Sequence, residues 1–584
     1  MKAIVGVLSV AAGIAVSASS AFAQHAPSPQ TDTIIRQAVA LSRQAQVRDP
    51  SSPPIDQMTA AGPGLSLSLE QAVQMALEKN LDIRVQRLNS QTSDLTVAGA
   101  RAAYLPTVSA LVGDQHQTSV PITLLTGGQQ VATSTATVNG MLTQNLPWAG
   151  GSLHVTWNNN RVNTNSFFYN YDPAFNAALS AQYTQPLFRG LRTDEARHQL
   201  VVTRVNRAVS DVQLKTTLTN TVTAVRNAYW DMVLAVESIE VAKASVELAG
   251  QLVEEDRQRV QAGRMTGLDV VTATAQEAAD RHALVLAEGS RRTAELALKK
   301  LLVTGPDDPL WRLAIDPTDR PDDRATTIDL EAALRRALSE RTDLAQAAQQ
   351  VAANDATLQY LRDQTRPQVD VVATYAQAGL GGAQLLRAGG DAAGLAALTA
   401  PVVGSTSGAY GSALSSLASR NYPTWGVALN VTYPIGFSAA KAEAARAQIQ
   451  ATQVEAQTRQ LEIQVVNEVT SAVIEVRNAF DEIGTAKQAR DLADQKLDAE
   501  LKKFSVGLST NYFVVQAQRD LADARNAVLH AQITYQQALV AFDRTQQTAL
   551  QGTGVTVISP AGINTPAVGS GKPAAVAPSG AFFQ

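Results

Sequence analysis

The sequence predicts a mixed α and β membrane protein with internal duplication, in which a long coiled-coil α-helical barrel is continuous with a transmembrane β-barrel shared between chains. Three observations carry this prediction. One series of residues is written twice along 584 positions. Two long proline-free runs carry a heptad. The stretches that precede them alternate apolar and polar residues with period two.

Composition narrows the chemistry. The chain has no cysteine, 48 Lys+Arg against 52 Asp+Glu, and only 17% charged residues. A disulfide framework, a thiolate zinc site, an iron–sulfur cluster and a cysteine nucleophile are all excluded. A formal charge of −4 argues against a general nucleic-acid binder.

The ends read as accessory segments. Residues 1–23 form a signal peptide: Lys2 supplies the positive start, Ala3 to Val16 the apolar run, and Ala21-Phe22-Ala23 the small-residue cleavage site, so that Ala23 and Gln24 flank the cut. Residues 24–64 are a Pro/Ser/Gln-rich linker, and residues 551–584 a Gly/Pro/Ala/Ser tail expected to be disordered. The tail's Gly569-Ser570-Gly571-Lys572 is not a phosphate loop, because positions 566 and 573 are both Pro.

The duplication comprises a first repeat, 65–326, and a second, 327–550. Ser68-Leu69-Glu70-Gln71-Ala72-Val73 is answered by Asp329-Leu330-Glu331-Ala332-Ala333-Leu334 at an offset of 261 residues, unbroken as far as Pro106-Thr107-Val108 and Pro367-Gln368-Val369. Further on, Val260-Gln261-Ala262-Gly263 answers Phe504-Ser505-Val506-Gly507. Each copy opens on a capped helix of nearly forty residues, from Ser68 to about Tyr104 and from Asp329 to about Gln364. Strands follow at about 106–188 in the first copy and about 367–378 and 422–435 in the second, the last two joined by a Gly/Ala/Ser loop from Ala378 to Arg420.

Long helical hairpins close each copy, at about 191–302 and about 438–550, because no Pro lies between Pro186 and Pro306 or between Pro434 and Pro560. Val225, Met232, Ile239, Val246 and Val253 recur every seven residues; Val476, Ile483, Leu497 and Phe504 keep the row in the second copy, with Arg490 interrupting it. A period of 3.5 implies left-handed supercoiling, and the Ala-rich second face allows helices to tile into a tube. At about 1.5 Å per residue the long helix spans roughly 110 Å. The return helix covers only half of it, so two short helices stacked end to end match one long one.

In the strands, Trp425, Val427, Leu429, Val431 and Tyr433 share one face, and Leu153, Val155 and Trp157 oppose Ser152, His154 and Thr156. A soluble half-buried sheet alternates in the same way. The secretion signal and the aromatics near strand ends favour a membrane wall with a wet interior. The first copy supplies four strands and the second two, too few to close a barrel of ordinary size from one chain.

These residues resemble the TolC family of outer-membrane efflux and secretion channels. The carriers are the duplicated Leu-x-x-Ala helix start, the Pro-x-Val entry to the strands, and the [Val/Phe]-x-x-Gly-x5-[Asp/Phe]-Val tips, over about Leu65 to Leu550. The resemblance implies a homotrimer in the outer membrane whose helical barrel crosses the periplasm. It implies docking to a periplasmic adaptor (membrane fusion) protein and to an inner-membrane RND or ABC transporter, in a tripartite efflux pump or a type I secretion system. It places the closing tips at Gly263, Arg264, Met265 and Thr266 and at Gly507, Leu508, Ser509 and Thr510, as candidate adaptor contacts. Family members often place acids just inside the second tip; here Phe513 and Gln516 stand there, and Asp269 is the only acid, in the first. These three are the gate candidates, and the entrance is expected to close by apolar packing.

The search for catalysis is empty. The six histidines are scattered, no His-Glu-x-x-His or Gly-x-Ser-x-Gly occurs, and no cofactor or metal site is expected. The other reading is a trimeric outer-membrane structural protein or adhesin with a coiled-coil stalk. Strands placed twice in mid-chain, with helix on both sides, favour the tube.

Overall fold

The long proline-free runs fold as continuous helices, and the period-two stretches fold as one sheet. A computed structural model of the chain describes residues 64–120, 130–166, 168–388 and 400–551. The signal peptide with its Ala23/Gln24 cut, the linker up to residue 63 and the tail from 552 lie outside the described residues.

The order is β1 (Gly64–Leu67), α1 (Leu69–Lys79), α2 (Leu81–Ala102), β2 (Thr107–Ser119), β3 (Val131–Asn145), β4 (Ser152–Thr164), β5 (Tyr171–Pro186), α3 (Glu195–Gln261) and α4 (Gly267–Leu302). After a short 3-10 turn come β6 (Ala314–Pro317), α5 (Leu330–Glu340), α6 (Thr342–Gln364), β7 (Gln368–Arg387), β8 (Val402–Ser405), α7 (Tyr410–Ala418), β9 (Pro423–Thr432), α8 (Ala439–Ser505) and α9 (Asn511–Thr545). Both long helices have 67 residues, about 100 Å of helix.

The leading helix of each copy differs from the single rod of nearly forty residues. It is broken between α1 and α2 at Asn80 and between α5 and α6 at Arg341, where ψ is 129° and 133°. The two breaks stand at equivalent positions of the duplication, and each is held by a side chain. Asn80 Oδ1 accepts from the N–H groups of Asp82 (2.9 Å) and Ile83 (3.3 Å), while its amide donates to the Leu301 carbonyl at 3.0 Å. Arg341 donates to Asp343 Oδ2 at 2.6 Å and to Glu468 Oε2 at 2.7 Å on α8. The Asn80 side chain offers the first amides of α2 a partner, so that break costs few unsatisfied groups, whereas Arg341 caps no amide of α6 and holds its break through its two carboxylate partners. At the start of α1, Ser68 and Gln71 complete a reciprocal capping box; Asp329 caps α5 alone.

The stretch after residue 378 is not the Gly/Ala/Ser loop that its composition predicts. β7 continues to Arg387, β8 returns beside it, and α7 lies across the sheet before β9 begins. α7 can sit there because Gly379 and Gly381 are bare: a Cβ on either would collide with the backbone of Ala413. Tyr410 anchors the helix, donating to Asn159 Oδ1 at 2.7 Å and meeting the Phe175 ring edge-on at 5.9 Å.

The main sheet is antiparallel in the order β2-β3-β4-β5-β7-β9, with β8 at the far end of β7. Its register keeps the alternation coherent across strands. Val108 pairs with Leu142, Leu142 with Val155, Val155 with Ala181, Ala181 with Tyr375, and Tyr375 with Trp425. On the opposite face Thr107, Thr143, His154, Gln182, Thr374 and Gly426 form one row. Over these rows one face of the sheet is apolar and the other polar, as a lipid–water wall requires.

Among the described residues the helices pack through four apolar clusters, the smallest joining α6 and α8 around Leu358, Ala447 and Ala451. One joins α1, α3, α4 and the parallel pair β1–β6 around Val222, Val225, Tyr229 and Met232, all fully buried. A second joins α5, α8 and α9 around Val465, Val469 and Tyr535. The third lies at the free ends of α3, α4, α8 and α9. Each fully buried large apolar side chain contributes about 1.5–3 kcal/mol relative to exposure, so the clusters hold the hairpins together. Nearer the sheet α3 is flanked by α2, where Ser90 donates to Asp211, and by α6, where His198 stacks on Tyr360 with ring centroids 4.6 Å apart. No described helix is long and apolar enough to cross a membrane.

Candidate functional site

The sheet stands at one end of the long helices, and the hairpin turns stand at the other. Both turns are made the same way. After α3, Gly263 adopts φ +70° and the Arg264 N–H reaches back to the Arg259 carbonyl at 2.8 Å; after α8, Gly507 adopts φ +80° and the Leu508 N–H reaches Lys503 O at 2.8 Å. This closure needs a left-handed residue just past the helix end, which Gly supplies without strain.

The residues after each turn differ in what they do. Thr266 begins α4, and the Asp269 carboxylate accepts from its N–H (3.2 Å) and its hydroxyl (2.7 Å). Asp269 thus serves its own helix start. In the other turn the equivalent pair is Thr510 and Phe513, so no acid completes the cap. Gln516 is half-buried and donates to Asp520 at 2.8 Å. Ser509 donates to Glu500 at 2.7 Å; Lys503 beside Glu500, and then Ser509, hold that carboxyl below the usual range. Arg264, Thr266 and Thr510 are exposed, and Met265 packs against the cluster at the tips.

Apolar side chains are exposed at the tips among polar and charged neighbours. Leu268, Val271, Val506, Leu508, Tyr512 and Phe513 are each more than half exposed. Tyr512 and Phe513 meet edge to face at 5.6 Å.

Inside the tips the structure reveals a group that sequence reasoning missed. Asp256 on α3 is completely buried, and neither carboxylate oxygen accepts a hydrogen bond. Burial pushes its carboxyl up to about 6; Arg259 opposes the rise, and the negative charges of Asp269 and Glu255 add to it. Asn511 is buried beside the same cluster and donates to the Asp269 carbonyl at 3.0 Å, while its own Oδ1 has no partner. Arg259 lies over the Phe504 ring at 4.1 Å. The signal for Asp256 was present: Ala228, Ala235, Ala242 and Ala249 recur every seven residues on α3, and the next position in that row is Asp256. Its counterpart in the second copy is Glu500, half-buried and paired with Lys503 and Ser509.

Among the described residues no group of three or more His, Asp or Glu side chains is placed to hold a metal.

The comparisons with known proteins agree on one class. The family model for outer membrane efflux proteins matches residues 72–304 and 333–545, well over half of the chain. The fold is similar to that of CusC, described in terms of transmembrane channel formation, at 15% identity and a TM-score of 0.59, covering 86% of this chain and 98% of that one. It is similar to the outer membrane protein VceC of Vibrio cholerae, at 15% identity and TM-score 0.57, over 82% of this chain and 96% of that one. The open state of the Neisseria gonorrhoeae MtrE outer membrane channel is similar at 16% identity and TM-score 0.55, over 82% and 89%. No curated protein is similar to the chain in sequence. Proteins of the matched family are passive outer-membrane channels and not enzymes. With a two-part match spanning both copies of the duplication, the chain belongs to the outer membrane efflux protein family.

Proposed function

We propose that the chain is one protomer of a homotrimeric conduit, opened at its helical tips, that carries solutes through the outer membrane and periplasm. The observation that carries this reading is the join of two walls. A sheet with one apolar and one polar face runs directly into helices about 100 Å long, so a polar path can continue from membrane to tip. The energy belongs to partners: a periplasmic adaptor protein and an inner-membrane RND or ABC transporter. The adaptor contacts are Gly263, Arg264, Met265 and Thr266 and Gly507, Leu508, Ser509 and Thr510, beside the exposed apolar side chains of the tips. With Phe513 and Gln516 at the second tip and Asp269 bound into its own cap, the entrance closes by apolar packing, and opening is a shift between two packed states.

Planar-bilayer recordings of the purified protein test the conduit. Conductance that appears when the tips are destabilised supports it, and none under any condition refutes it. Because the chain has no cysteine, a single Cys at Thr266 or Ser509 reports the adaptor by crosslinking in cells. No adduct from either position would remove the tips as docking sites.

A further inference from the structure

The two copies contribute unequally to the sheet. The second sends β7 away from the helices and brings β9 back. The first does the same with β2 and β5, but inserts β3 and β4 between them. The inserted pair runs out and back, so the direction of every other strand is kept. Its register continues the apolar and polar faces of the sheet: Leu142, Val155 and Trp157 fall on the apolar side. The hairpin is wall, not decoration.

Among the described residues β2 pairs only with β3, and β9 only with β7, so both outer edges of the six-strand row are open. Every residue of β2 is exposed, and so are all but one of β9. The two edges suit each other. First and last in an alternating row of six, they run antiparallel. Both present apolar side chains on the same face, Val108 and Val112 on β2 and Trp425, Val427 and Leu429 on β9. Hydrocarbon leaves no water for unpaired backbone groups, and only a closed ring removes both edges. Six strands are too few to close alone.

Resting on the trimeric reading above, we infer that three copies close an eighteen-stranded barrel, β2 of each pairing with β9 of the next, with the β3–β4 hairpins supplying six of the strands. At a strand spacing of about 4.8 Å and a tilt of about 40°, such a ring is about 36 Å across between backbones; without the hairpins it would be about 24 Å. The polar face around Thr143, Thr156, Asn158, Ser180 and Thr374 carries hydroxyls and amides and no acid or base other than His154 over these rows. Asp370, beside Asn430 near the helical end of β7, is on the same face, so the passage is wide and uncharged over its middle rows with one acid per chain toward the helices.

Electron cryomicroscopy of the full chain in lipid nanodiscs tests this by counting strands, with crosslinking of the cysteine-free chain alongside. Ser109→Cys is combined in turn with Thr424→Cys, Gly426→Cys, Ala428→Cys and Asn430→Cys. The expected result is eighteen strands and one double variant that gives a disulfide ladder ending at three chains. A trimer whose wall has twelve strands, with β3–β4 outside it, overturns the inference and leaves the trimeric conduit intact. A ladder ending at a number other than three overturns the trimer and, with it, the count of eighteen. Absence of a ladder from every combination, with no β2–β9 contact in the map, overturns the pairing itself.

Discussion

Asp256→Asn isolates the buried charge at the tips. The wild-type carboxyl rises from an ordinary 3.8 to about 6 in the packed state. At 1.36 kcal/mol for each pH unit of displacement, that is roughly 3 kcal/mol of destabilisation. The sign follows from the direction. A raised carboxyl means that the packed tip holds the proton more tightly than the open tip, so the cost is fully present above about pH 6 and fades as pH falls toward 4. The packed tips are therefore weakest at neutral and alkaline pH. Hydrogen–deuterium exchange of amides in 252–276 and 497–521, corrected for the intrinsic pH dependence of exchange, reads this directly. In the wild type, protection at the tips increases about tenfold from pH 8 to pH 5. In Asp256→Asn the pH dependence disappears, and protection at pH 8 rises by up to roughly a hundredfold. Equal pH dependence in both proteins, or a variant less protected than wild type at pH 8, would refute the reasoning and show Asp256 to be favourably solvated or paired.

Other expectations concern the joints. Gly507→Ala places a Cβ at φ +80° with open space around it, so backbone strain alone should cost about 1 kcal/mol and lower protection near Phe504 and Val514 about fivefold; unchanged exchange would contradict the turn geometry. Tyr229→Phe removes a fully buried hydroxyl that accepts from the Asp319 N–H (3.1 Å) and has its one proton within reach of the Asp319 carboxylate (2.8 Å) and Leu67 O (3.0 Å), and should lower thermal stability by about 1–3 kcal/mol without altering helix content by circular dichroism. Burial alone would raise the Asp343 carboxyl, but the Arg341 guanidinium outweighs it and holds the group below the usual carboxylate range. That stabilisation is present at neutral pH and lost as pH falls through the lowered value. Arg341→Met should therefore cost about 2 kcal/mol at pH 7 and flatten the acid side of the melting curve, whereas an unchanged acid limb would show that the break stands without the pair.

Much of the architecture was legible because it rests on periodicity. A period of two in Val427, Leu429 and Val431, a period of seven in Val225, Met232 and Ile239, and proline spacing are local properties that survive without coordinates. The turns at Gly263 and Gly507 were legible for the same reason, since a left-handed residue after a long helix favours one amino acid. The breaks at Asn80 and Arg341 were not. Leu81-Asp82 and Thr342-Asp343 are ordinary helix sequence, and only the Leu301 carbonyl and Glu468 on distant segments make a break worth holding. Helix α7 escaped notice because its support is bare glycine on β7, invisible to its own short sequence.

By itself, then, the sequence determined that this is a duplicated chain of coiled-coil helices and alternating strands, since each of those features is written in neighbouring residues. Only the tertiary structure decided the strand order, the register that joins the extra strand pair of the first copy to the sheet, and the burial of Asp256. Each depends on which distant segments meet, and the charge on one carboxylate matters only once four helix ends have closed around it.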